Sequence, residues 1–344
     1  MKASIPRRAK DLLRDLRWHG QTGLRVARGR MRTQASVEKA FHARYFADLP
    51  VDVDGMADYK LERFPRSGPL PWLDLPDTEE AIAARQARGE ISSEEAEACR
   101  EWARSGAIVL KRFFDADSLD QIWGAYEEAV RSGRVRLEPE QPSPGDPLPS
   151  RSLDAHLIVP EVRAFLHDPR LISWMRLLLG REPTPFQTLV SHKGSEQREH
   201  SDAIHMTTYP VGYLTAAWIA FEDIHPDSGP IAYYPGSHRL PYLSSRALGL
   251  PADDFRKRGY AGYFEKYEPA IQTLIAEHGL VANVFLPEKG DVLLWHGNLI
   301  HAGSPRRNLA FSRKAVVLHY FARGAVCYHD LSGTLTPFER LDKL

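Results

Sequence analysis

Between residues 185 and 324 the chain runs through five short segments rich in β-branched and aromatic residues: PFQTLVSHKG, YLTAAWIAFEDI, GPIAYYPGSH, DVLLWHG and RKAVVLHYFARG. Each is bounded by turn residues, and no helix alternates regularly with them. That argues against a parallel sheet, whose strands need a long crossover between neighbours. Short strands in direct succession are expected to pair antiparallel, as a sandwich or barrel. One interruption, residues 239–289, reads as a mostly helical insertion. Upstream, SSEEAEACREWARSG (92–106) is predicted as a helix capped by Ser92 or Ser93 and closed by Gly106. GAIVLKRFF follows as a strand, then helices over DADSLDQIWGAYEEAVRSG and DPRLISWMRLLLG (168–180).

The N-terminal part differs in character. Its first forty residues carry eleven Lys or Arg against Asp11, Asp15 and Glu38. Leu12, Leu13 and Leu16 line one side of an expected helical arm, read as packing on the domain or on a second subunit. Residues 50–80, rich in Pro and Asp, read as an extended, wrapping connection, and 138–150 as a proline-rich loop. The expected division is an arm and wrapping segment over 1–90, a core over 91–330 and a tail over 331–344. The formal net charge is +0, so no nucleic-acid partner is expected. Two cysteines, Cys99 and Cys327, stand in no metal-ligand spacing and suit a reducing compartment. No apolar run has the length of a membrane span, and the N-terminus lacks the apolar centre of a secretory signal. A cytoplasmic protein is expected.

The chemistry concentrates in EHSDAIH, residues 199–205. If the stretch is extended, His200 and Asp202 point to one face and can reach a single ion. A histidine from another strand would complete a facial set of two histidines and one carboxylate, leaving open positions suited to non-haem Fe(II) and O2. Both His296 and His301 are available for that role. Arg313 lies twelve residues beyond His301, at the start of a strand, where a guanidinium can hold a dicarboxylate by a bidentate pair. On a regular strand His205 would face away from Asp202, lining an entrance only if the chain bends. His192 and His319 read as satisfied histidines, and His238 as a hydrogen-bonding residue. Pro235, Gly236 and Ser237 read as a tight turn.

Together, H-S-D at 200–202, SGPIAYYPGSH at 228–238, GDVLLWHGNLIHAGSP at 290–305 and Arg313 resemble the phytanoyl-CoA dioxygenase family over roughly residues 95–325. The resemblance implies a β-rich α+β fold: a double-stranded β-helix, the cupin-like jelly roll, with flanking helices. A helical N-terminal extension would precede it. It implies Fe(II), 2-oxoglutarate and O2 as cofactors, and His200, Asp202 and His301 as metal ligands. His301 is preferred to His296 because the family's distal histidine precedes a turn of small residues. Arg313 would hold the far carboxylate of 2-oxoglutarate, with Trp218 and Gln187 as further cosubstrate contacts. Retention of a carboxylate at 202 points to hydroxylation rather than halogenation. The substrate would be a small organic or acyl molecule, with residues 239–289 as its lid. Two other classes remain open from the residues alone, a cupin-like metal-dependent hydrolase or isomerase and a non-catalytic module on the same barrel.

Overall fold

A computed structural model describes residues 70–138, 150–245, 247–250, 252–332 and 334–335. The basic arm with its expected helix, most of the wrapping segment, residues 139–149 of the proline-rich loop and the end of the tail lie outside them. Within the stretch read as an arm, Thr78–Ala87 forms a helix, α1, whose Ile82 is wholly buried.

The flanking helices start and stop where local chemistry dictates. Helix α2, Ser93–Ser105, opens on Ser92, whose hydroxyl accepts the Glu95 N–H while the Glu95 carboxylate accepts the Ser92 N–H. This reciprocal cap satisfies two donors that the first turn leaves unpaired. Gly106 ends the helix at φ 78, a left-handed conformation that favours glycine. Strand β1, Ala107–Leu110, is shorter than GAIVLKRFF promised. The buried Asp291 carboxylate takes the Lys111 ammonium (2.6 Å) and the Arg112 N–H (2.8 Å), turning the chain there with Arg112 at φ 49. Helices α3 (Ala116–Arg131), α4 (Pro160–Leu166) and α5 (Pro169–Leu179) follow, α5 capped by Asp168.

The remaining strands are β2 (Arg151–Leu153), β3 (Pro183–Ser191), β4 (Thr207–Tyr209), β5 (Leu214–Ala220) and β6 (Ile231–Tyr233). After the insertion come β7 (Asn283–Val284), β8 (Val292–His296), β9 (His301–Gly303), β10 (Ala315–Ala322), β11 (Val326–His329) and β12 (Thr334–Leu335). They form a six-stranded antiparallel sheet, ordered β1-β8-β5-β10-β3-β2, and two three-stranded sheets, β7-β6-β9 and β12-β11-β4.

Alternation along the large sheet sorts its side chains into two layers. Ile108, Ala217, Ile219, Val292, Leu294, Val316 and Leu318 pack outward with Trp102, Leu119, Tyr126 and Met175 of the helices. Ala216, Trp218, Leu293, Trp295 and Ala315 point the other way and meet Ile231 of the smaller sheet and Phe285. A sheet covered on both faces explains why Leu214–Ala220 and Val292–His296 are buried at every position. The insertion is largely helical as expected, with α6 (Ala252–Arg258), a π-helical turn at Tyr263–Tyr267 and α7 (Glu268–Glu277). Its end supplies β7 to the small sheet. The architecture is the expected β-rich jelly roll with flanking helices.

Candidate metal centre

His200 and His301 come from opposite ends of the β region but are backbone neighbours. Each donates its N–H to the other's carbonyl, at 3.0 and 2.8 Å, and their ring centroids lie 4.4 Å apart. The chain then leaves the extended state, because Asp202–Ile204 forms a single 3-10 turn. Asp202 opens that turn with its carboxylate back toward the histidines. One ligand atom from each of His200, Asp202 and His301 falls within 4.8 Å of the others, and all three residues are buried.

The outer hydrogen bonds decide which atoms face inward. His200 Nδ1 lies 2.8 Å from the Arg198 carbonyl and His301 Nδ1 lies 3.0 Å from the Leu299 carbonyl. A carbonyl only accepts, so both Nδ1 atoms carry a proton, and each Nε2 is left as the atom that can face an ion. Burial, with the neighbouring His301 and His205, pushes the His200 pKa well down and keeps the ring neutral. Burial works against the Asp202 carboxylate, but the surrounding histidines, His301 foremost, outweigh it and hold its pKa far below the usual range. Asp202 Oδ2 accepts the Trp295 indole N–H at 2.7 Å, while Oδ1 lies 3.6 Å from His301 Nε2. One carboxylate oxygen is thus fixed to the wall and the other left toward the histidine pair. Two imidazole nitrogens and one carboxylate oxygen, buried and pre-aimed, fit a divalent first-row metal.

His296 is ruled out by its own bonds. Its Nε2 lies 3.2 Å from Asp74 Oδ2 and its Nδ1 accepts the Asn298 N–H at 3.0 Å, with the ring against Trp102. On the strand VLLWH it faces away from Trp295, and so away from Asp202. The Pro235–Gly236–Ser237 turn does form, and the Ser237 hydroxyl accepts the Ile300 N–H at 2.9 Å, steadying the segment that delivers His301.

Arg313 is buried just before β10, in step with the inward-facing Ala315. It donates to the Gly229 carbonyl at 3.1 Å, and its guanidinium lies 5.9 Å from the Trp218 ring centre. Gly229 sits at φ +82, and a Cβ there would meet Arg306 Cγ at 2.7 Å and the Ser304 carbonyl at 2.9 Å, so the position requires glycine. Gln187 pairs with His319 across β3 and β10, on the inner face. The three residues expected around a cosubstrate therefore lie on one wall of the sheet.

One histidine departs from expectation, and another meets the condition set for it. His319 is buried with neither ring nitrogen hydrogen-bonded, and its Nε2 lies 3.6 Å from Asp202 Oδ2, so it is no satisfied core histidine. The signal was its even separation from Arg313, which places both on one face of the strand. His205 is turned into the chamber by the 3-10 turn, its ring 5.6 Å from His200 and 5.2 Å from Tyr263 of the insertion. Trp295 was overlooked altogether, although alternation with His296 places it inward. His192 is hydrogen-bonded to the Ser150 carbonyl at 3.2 Å, under Trp123 and Tyr126, as expected.

A jelly roll with a buried His-Asp-His group between its sheets defines the class of β-helix proteins that carry a two-histidine, one-carboxylate metal centre. The chain belongs to the phytanoyl-CoA dioxygenase (PhyH) family, whose model matches residues 102–315. It is 28% identical over 171 residues to the Mus musculus phytanoyl-CoA dioxygenase domain-containing protein 1, covering 48% of this chain and 54% of the relative. The match thus spans about half the length of that relative. The ectoine dioxygenase of Bordetella bronchiseptica is 24% identical over 281 residues, with 78% of this chain and 87% of the relative covered. Among solved structures, the non-heme alpha ketoglutarate dependent carbocyclase SnoK from nogalamycin biosynthesis superposes with a TM-score of 0.55 at 16% identity. That match covers 80% of this chain and 97% of SnoK, and it shows the shared fold.

Proposed function

We propose that this protein is an Fe(II)- and 2-oxoglutarate-dependent dioxygenase that hydroxylates a C–H bond of a small organic or acyl substrate. The observation that carries the reading is the buried His200–Asp202–His301 group, with both imidazole tautomers set so that Nε2 faces the carboxylate. Those three side chains would hold the iron, and Arg313, beside Trp218 and Gln187, would hold the far carboxylate of 2-oxoglutarate. Iron with its cosubstrate supplies oxidative power from O2 when bound. The chain's own residues do the positioning. Trp295 keeps Asp202 to a single inward oxygen, Arg313 sets the cosubstrate's direction, and the aromatic insertion keeps water away from the reacting atoms. The carboxylate at 202 occupies the position a halide would need, which favours hydroxylation. Among the described residues no helix is long and apolar enough to cross a membrane. Cys99 and Cys327 are buried in different core clusters, which supports a reducing, cytoplasmic setting.

The test is an anaerobic titration with Fe(II) and then 2-oxoglutarate, following the weak visible charge-transfer band of the chelate. The band is expected in the wild type and in His296→Ala, and lost in His301→Ala. A folded wild-type protein that forms no band would overturn the reading.

A further inference from the structure

The insertion is hydrogen-bonded to the stretch that carries two of the three candidate ligands. Tyr267, wholly buried, accepts the Ser201 N–H at 2.9 Å, and its hydroxyl lies 3.3 Å from Ser201 Oγ. Ser201 stands between His200 and Asp202, and its N–H is given to this side chain rather than to a main-chain carbonyl. Two further bonds join the same stretch to α7. Glu268 takes the Arg198 guanidinium at 3.2 Å, and Gln272 donates to Glu199 at 2.7 Å. The Arg198 carbonyl in turn receives the His200 Nδ1–H. Apolar packing follows the same route. Tyr263, Tyr267 and Ile271 of the insertion share a core cluster with Ile204, which ends the turn that Asp202 opens, and with Ile300, beside His301.

Magnitudes single out Tyr267 among these ties. The Arg198 and Gln272 side chains are exposed, and surface pairs of that kind contribute little. The Tyr267 bond is buried, so its loss would leave the Ser201 N–H with neither water nor acceptor. Bulk alone does not explain the residue. A phenylalanine would fill the same space against Tyr263, whose ring stacks on that of Tyr267 at 5.0 Å. The hydroxyl is the part that reaches the ligand segment.

We infer that Tyr267 is a positioning residue for the metal centre. Through Ser201 its hydroxyl holds the main chain between His200 and Asp202. The insertion, expected as a substrate lid, is then also part of the frame that aims the ligands. The inference rests on the reading above only in needing a metal on His200, Asp202 and His301. By linkage the effect runs both ways: what the insertion contributes to metal affinity, bound metal returns as stability of the insertion.

The test titrates the full chain, free of metal and under anaerobic conditions, with Co(II) and with Fe(II) against a competing chelator. The visible bands of Co(II) report coordination geometry without any cosubstrate. Tyr267→Phe is expected to weaken binding of both ions about tenfold or more and to shift the Co(II) bands. Tyr320→Phe is the structural control, because it removes a buried hydroxyl that donates to the Leu166 carbonyl at 2.9 Å in the outward layer. It should lower the melting temperature and leave metal affinity and bands as in the wild type. Deuterium exchange of the wild type needs no variant: Co(II) should slow uptake across α7, and this measurement decides alone where Tyr267→Phe fails to fold. Equal affinity and identical bands in Tyr267→Phe overturn the inference, as does α7 exchange that ignores the metal. So does a loss of affinity in Tyr320→Phe as large as in Tyr267→Phe, or a wild type that binds neither ion. If Co(II) binding depends on Tyr267 while Fe(II) and 2-oxoglutarate form no chelate band, the positioning role stands and the oxygenase reading fails.

Discussion

At the scale of single residues the centre depends on groups that never touch the metal position. Trp295 donates to Asp202 Oδ2 at 2.7 Å and leaves Oδ1 toward His301 Nε2. Trp295→Phe keeps the ring and removes the donor, so the carboxylate is freed to rotate or to turn toward His319. Iron affinity is expected to fall about 10- to 100-fold, the range for losing a group that orients a ligand, as measured by competition with a chelator. Unchanged affinity would show that packing alone orients Asp202. Arg313→Ala removes the buried guanidinium and, under the proposed function, leaves the far carboxylate of 2-oxoglutarate without its partner. That costs about 2–5 kcal/mol, or at least roughly 30-fold in 2-oxoglutarate affinity, with iron binding retained. Titration of the iron-loaded variant reads both quantities, and an unaltered 2-oxoglutarate requirement would move that role elsewhere.

At the scale of elements, the insertion is tied to the barrel through Asp330, which follows β11. Its carboxylate accepts the Ser245 N–H at 2.5 Å, and its carbonyl accepts the Ser245 hydroxyl at 3.1 Å. Burial pushes the Asp330 carboxyl up from 3.8 to about 6, against the Ser245 hydrogen bonds. A folded-state pKa above the unfolded one contributes stability that is complete below 3.8 and lost as pH rises through about 6. Near neutrality the ionised form is therefore a cost, of the order of 3 kcal/mol. Asp330→Asn keeps an acceptor without the charge, and should raise the melting temperature at pH 8 but not at pH 4. A variant that is less stable at both would assign the carboxylate a partner the hydrogen bonds do not show. Elements of this kind show how far the residues alone could be read. Ser92 with Glu95, Gly106 and Asp168 act locally, so the helix ends were legible. The end of β1 was not, because Asp291, distant in sequence, turns the chain at Lys111. His200, Asp202 and the small-residue turn after His301 were legible as a pattern. His319 was misjudged because its surroundings come from Asp202, outside its own strand, and His205 could be read only conditionally because a turn decides its direction.

Across the whole molecule, burial keeps several imidazoles neutral. The pKa values of His156 and His329 are lowered to about 4, and those of His205 and His238 to about 3. Unfolded histidines take up protons near pH 6.5. The stability these groups confer is thus present above that pH and lost as pH falls toward their folded values. Each contributes a slope of about 1.4 kcal/mol per pH unit in that window. Urea midpoints should therefore drop steeply between pH 6 and 4, and a flat profile would contradict neutral burial. The mutual backbone bridge between His200 and His301 has a consequence of another kind. The two N–H groups close one ring that clasps the two candidate histidine ligands together, so neither can separate from the other without releasing both. A metal seated on the two imidazoles fastens that clasp from the side-chain end. Under the proposed function, deuterium uptake at the His200 and His301 amides should therefore slow when the centre is loaded, a gauge of occupancy that needs no known substrate.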